Sequence, residues 1–137
     1  MDFRQLRLIW LALMGGVATY TLVVVGLVGT GAIDMGLIAA PVVRLAAMAV
    51  LVYMFAGIPL RRAMLTRIPP DAEPERRLAL YRGATLVGLG LIESGGLMII
   101  TLGMLASSPR WVLVGGASAV AMMIAARPRA VEVGIDG

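Results

Sequence analysis

Four apolar runs separated by short polar breaks set the plan of this chain. Residues 8–29, 36–60 and 83–106 are each longer than the roughly 20 residues a helix needs to cross a bilayer. Residues 110–126 form a shorter fourth run. The first run is too long for a signal-peptide core and is read as a membrane helix. A tight turn at residues 30–35 (TGAIDM) carries no positive charge. Residues 61–82 form the one substantial polar segment, and Pro69, Pro70 and Pro74 interrupt any helix there. The tail from Arg127 onward is polar and reads as loose. The pattern predicts an all-α integral membrane four-helix bundle, one domain over residues 1–137, with antiparallel sequence neighbours forced by the short turns.

Composition agrees. Of 137 residues, 60% are hydrophobic, and a soluble domain of this size could not cover that much apolar surface. There is no cysteine and no histidine, which removes disulfides, the usual haem ligand and the commonest zinc ligand. No metal or other cofactor is expected. The net charge of +4 comes entirely from arginine, and the arginines flank the apolar runs, so they argue for membrane topology rather than nucleic acid. Arg4, Arg7, the six arginines between Arg61 and Arg82, Arg127 and Arg129 fall on one side of a four-helix topology. Both termini and the long loop are therefore expected in the cytoplasm (N-in, C-in), in an inner or cytoplasmic membrane. Trp10 and Trp111 stand at helix starts, where an indole suits the headgroup layer.

Chemistry concentrates on the third run. Glu93 is its only carboxylate and falls near its middle, where a charge needs a partner, a proton or a role. At 100° per residue Gly83, Gly90, Glu93 and Thr101 share a face, while Gly88, Gly95, Gly96 and Gly103 form a second stripe roughly opposite. Small residues on two faces predict a helix packed on both sides. Arg44, in the second run, lies roughly 12 Å from the outer helix end and Glu93 roughly 18 Å by the same rise, an offset an arginine can reach. Two readings of Arg44 stand: an ion pair with Glu93, or snorkelling to the headgroups. Paired, Glu93 is locked ionised; unpaired in an apolar site, it favours the protonated form and would carry a proton. Tyr20, also near mid-span, is either a packed ring with a local hydroxyl bond or a donor to Glu93.

The segment Arg67-Ile68-Pro69 and the run Gly88-Leu89-Gly90-Leu91-Ile92-Glu93-Ser94 resemble the Arg-polar-Pro loop and the Gly-x-Ala-Leu-Ile-Glu-Ala run of the F-type ATP synthase c-subunit hairpin. Duplicated four-helix c subunits of V-type enzymes are similar. The resemblance covers about half the chain, and it implies that Glu93 is a proton carrier in a homo-oligomer. Two features depart from that family: the second helix lacks its glycine stripe, and Arg44 would hold Glu93 from within the same chain. The preferred reading is therefore a non-catalytic integral subunit, an accessory component of a larger energy-transducing membrane complex, with Arg44–Glu93 as a packing clamp. Its partners are the lipid bilayer and other membrane subunits or itself. One carboxylate with no nucleophile or metal set beside it offers no catalytic site, so no enzyme is expected. The ten methionines are dispersed through apolar runs and read as packing.

Overall fold

The computed structural model describes residues 2–134, and every structural statement here refers to them. The chain is helical: α1 (Phe3–Gly29), α2 (Ala40–Phe55), α3 (Gly57–Thr66), α4 (Pro74–Leu105), α5 (Pro109–Ala125) and a short 3-10 turn at Ala130–Val133. α2 and α3 run on as one rod of 27 residues, so four rods stand side by side. Three of them, at 27, 27 and 32 residues, are long and apolar enough to cross a membrane; α5, at 17 residues, is shorter.

Local chemistry explains where the elements begin and end. Asp2 caps α1 by accepting the Gln5 N–H at 2.8 Å, and the Gln5 side chain accepts the Asp2 N–H at 3.0 Å, a reciprocal capping box. At the far end Gly31 turns the chain with φ +77°. The connection that follows is stitched to the α4–α5 turn. Ser107 Oγ accepts the N–H groups of Met35 and Gly36 at 2.8 and 3.0 Å, and Leu105 O accepts from Leu37 at 2.8 Å. That stitching keeps residues 36–39 out of the helix, with Gly36 itself at φ +54°, so α2 starts at Ala40 and not at residue 36 as its hydropathy suggested.

The polar segment is also shorter than its charge implied. Nothing between Arg61 and Thr66 breaks a helix, so α3 continues to Thr66 and stops only before Pro69 and Pro70; Pro74 then opens α4 in a position where its missing N–H costs nothing. The true loop is residues 67–73. The expected helix ends at 60 and 83 followed the fall in hydropathy, whereas hydrogen bonding continues beyond the apolar belt. A second interruption, at Ala56 between α2 and α3, coincides with Pro59, which cannot bond back to the Phe55 carbonyl.

α4 is the centre of the molecule and touches α1, α2, α3 and α5. One glycine stripe makes this possible. Gly88 lies against Gly57 and Arg61, Gly95 against Met54, Gly96 against Ala119, and Gly103 against the backbone of Val112. Without side chains there, the neighbouring helices come close enough for dispersion contacts along their length. Gly83 and Gly90, expected to pack as well, have nothing within 4 Å of where a Cβ would stand. They lie on the open side of α4, so the two-sided packing comes from Gly88, Gly95, Gly96 and Gly103 with the apolar residues between them. Gly115 and Gly116 of α5 repeat the device against Ile99 and Thr21.

Trp10 is not a headgroup anchor. It is buried, and its indole donates to the Met123 carbonyl at 2.8 Å. Met123 lies in the last turn of α5, where carbonyls lack helical partners, so the indole pins α1 to α5 by filling one such vacancy. Trp111 is half-buried and packs against the main core.

These contacts separate the glycines into two groups by consequence. Gly103→Ala places a methyl 2.6 Å from the Val112 nitrogen, which only a shift of α5 relieves. It should cost about 1–3 kcal/mol, whereas Gly90→Ala should be neutral or slightly stabilising. Thermal unfolding of both variants in detergent measures the difference, and equal melting temperatures would contradict the packing assignment.

Candidate functional site

The predicted Arg44–Glu93 clamp does not form. No salt bridge or hydrogen bond joins the two side chains; the ion pair present among the described residues is Arg61–Glu132. The reason is register. Met54 meets Gly95, and Gly57 meets Gly88 and Ile92. Extended along the rods, that register sets Arg44 level with the end of α4, near Leu105, about 18 Å of helix rise from Glu93. Counting from residue 36 had set Arg44 too deep: it is one turn into α2, exposed at the helix end. Tyr20 does not reach Glu93 either. Its ring is on the outward side of α1, 38% exposed, with no hydrogen-bonding partner among the described residues.

Glu93 is half-buried, on the side of α4 that the other helices leave open. Beside it, Ser94 Oγ lies 3.3 Å from the Tyr53 hydroxyl of α2 and 3.2 Å from the Leu91 carbonyl. One turn toward the termini, Gly90 is exposed with empty space above it; two turns the other way, exposed Thr101 bonds back to Leu97 at 2.8 Å. α4 therefore presents an outward polar strip of Gly90, Glu93, Ser94 and Thr101, with Tyr53 at its edge, in the middle of an apolar helix. A carboxylate there, with no cation among the described residues within bonding distance, is open to an external donor or a proton.

A second polar centre was not foreseen. At the end of the bundle holding both termini, Arg61 of α3 is buried to 5% exposure. Its Nη2 donates to Glu132 Oε2 at 2.7 Å and to the Tyr81 hydroxyl at 3.1 Å, its Nε reaches Thr85 Oγ1 at 3.4 Å, and the guanidinium lies 5.6 Å from the Tyr81 ring centre. The Tyr81 hydroxyl donates to Glu132 Oε2 at 2.6 Å and accepts the Arg129 N–H at 2.9 Å, so its one proton and both lone pairs are used. The tail is thus latched and not loose over residues 127–134, with Val133 buried among Leu6, Tyr81 and Leu65, and residues 135–137 lie outside the described residues. Only the alternation of Val131, Glu132 and Val133 hinted at this; the partner of a buried arginine 71 positions earlier is invisible to local pattern.

Partial burial alone would raise the Glu132 pKa, but hydrogen bonds from Arg61 and Tyr81 and the charges of Arg61 and Arg129 outweigh it, and the net shift is downward from 4.5. Comparison with protein-family models, curated proteins and solved structures finds no match to this chain.

A carboxylate held below its unfolded value adds stability above that value and loses it as pH falls through the folded one. The latch should therefore hold at neutral pH and release on acidification below about 4.5. Glu132→Ala should cost about 2 kcal/mol at neutral pH by stranding charged donors. Hydrogen exchange at residues 129–134 across pH 3–7 reads both effects; a tail equally protected in Glu132→Ala and the parent at neutral pH, or protection in the parent unchanged on acidification, would contradict them.

Proposed function

We propose that this chain is a non-catalytic membrane subunit that docks into a larger membrane assembly through the outward polar strip of α4. The observation that carries this reading is Glu93 on the perimeter of the bundle, beside the Tyr53–Ser94 pair and the open Gly90, with no cation among the described residues beside it. Lipid tails offer such a carboxylate nothing, so a neighbouring subunit that supplies a donor is the natural occupant. Open glycine on the same strip lets a foreign helix come close, as Gly95 and Gly96 do for the helices within the bundle. The packing clamp first assigned to Arg44 has no place in this reading.

A second reading has its own support. Release from Arg44 removes one of the two objections to Glu93 as an ion carrier, so a proton-translocating homo-oligomer in the manner of ATP synthase c subunits is the alternative. The two separate cleanly. Purification from native membranes in mild detergent should yield a complex of defined composition, and Gly90→Leu should release this chain from it while leaving its own melting temperature unchanged. A lone monomer throughout would sink the docking reading. A homo-oligomer in which a carbodiimide labels Glu93, and not Glu93→Gln, would establish the alternative instead.

Orientation belongs to the same proposal. Ten of the twelve arginines lie at the end with the termini (Arg4, Arg7, the six from Arg61 to Arg82, Arg127 and Arg129), which supports cytoplasmic termini and a cytoplasmic 67–73 loop. The chain has no cysteine, so single replacements report cleanly. Ala32→Cys should react with an impermeant maleimide on intact cells, and Asp71→Cys only after lysis. The reverse pattern would invert the topology.

A further inference from the structure

A cleft of about 940 Å³ opens between α2 and α5 at the end away from the termini, far from both polar centres described above. Ala40, Pro41, Arg44, Arg110 and Trp111 surround its mouth, and Leu45, Met48, Leu51 and Val114 line its length. Arg44 and Arg110 are both exposed, and neither has a salt bridge or side-chain hydrogen bond among the described residues. No carboxylate among the described residues lines the cleft, and Asp34, the acidic residue closest to Arg44 in sequence, is not part of it. Two guanidiniums with no counter-charge flank an apolar trough that starts where two helices begin.

We infer that this cleft binds an anionic phospholipid, with the phosphate between Arg44 and Arg110 and one acyl chain along Leu45, Met48, Leu51 and Val114. Three properties select that ligand. The charge is uniformly positive, so the head must be an anion, and guanidinium forks suit phosphate oxygens. The volume is near the top of the roughly 300–1,000 Å³ typical of small-molecule sites, far more than a free phosphate fills. The remaining wall is apolar and continues along the helix axis, which matches a chain and not a second charged group. Arg44 is one turn into α2, about 6 Å along the axis, the depth of a headgroup phosphate when α2 starts at the interface. Trp111 at the mouth gives the glycerol region an amphipathic wall.

The site is tested on the full chain in a neutral maltoside detergent, titrated with phosphatidylglycerol, phosphatidylcholine or inorganic phosphate and read by native mass spectrometry and melting temperature. Phosphatidylglycerol should bind at one site and raise the melting temperature; phosphatidylcholine and inorganic phosphate should not. Arg44→Gln with Arg110→Gln should weaken phosphatidylglycerol roughly tenfold or more, with lysine at both positions restoring much of it. Arg62→Gln with Arg76→Gln removes the same charge at the opposite end and should leave binding intact; both pairs are exposed, so folding survives. Equal loss in the two double variants would reduce the effect to net charge and overturn the site. So would equal binding of phosphatidylcholine, and competition by inorganic phosphate would overturn the lipid assignment.

Discussion

The close approach of helices along the glycine stripe of α4 is the constraint on which the rest depends. Lipid tails are as apolar as leucine, so helices in a bilayer gain little by hiding greasy side chains from each other. They gain by fitting. Gly88, Gly95, Gly96 and Gly103 let α3, α2 and α5 come close to the α4 backbone, and the fit leaves a core of Ala47, Met54, Ile92, Ile99, Ala119 and Met123 with no room for a large polar group. α1 completes the bundle from the α5 side, through Thr21 over Gly116 and the Trp10 indole on the Met123 carbonyl.

Beyond the end of that dry core the rules change. Below Ala56 the rod of α3 carries Arg61 into a pocket where water is scarce, and a buried cation must find an anion there. The tail supplies it. After α5 ends, Pro128 and the 3-10 turn bring Glu132 back under α3, and the Tyr81 hydroxyl fastens carboxylate, guanidinium and tail backbone together. The first residues of α1 and the last described residues of the chain meet there in one small apolar cluster through Leu6 and Val133. The latch closes the bundle at the end where the helices have outrun their apolar stretch.

The helices themselves were legible, because apolar runs of that length have few other fates. Their ends were not: hydropathy marks where a helix leaves an apolar environment, and Arg61–Thr66 and Pro74–Arg82 stay helical past that point. Pro59 could have flagged the break at Ala56. The opposed glycine stripes were visible at 100° spacing, yet periodicity cannot say which stripe meets a neighbour, and Gly83 and Gly90 prove to be the open ones. Depth was the costliest error. Moving the start of α2 by four residues turns Arg44 from a mid-span partner of Glu93 into a residue at the helix end. Glu132 was out of reach for another reason, since its partner lies in a different helix and nothing local announces a long-range ion pair.

The placement of charge follows from the packing. Ionisable residues in membrane bundles usually turn inward, toward one another or toward water. Here the interior is filled by glycine, alanine and branched aliphatics fitted backbone to backbone, and an internal ion pair would force the helices apart along the stripe that holds them. Glu93 therefore faces outward from the middle of α4, and Arg44 faces outward from the start of α2. Arg61 is buried because it lies past the break, where the tail can reach it with a carboxylate. Glu93 has no such partner among the described residues, because the tail that reaches Arg61 ends far from the middle of α4.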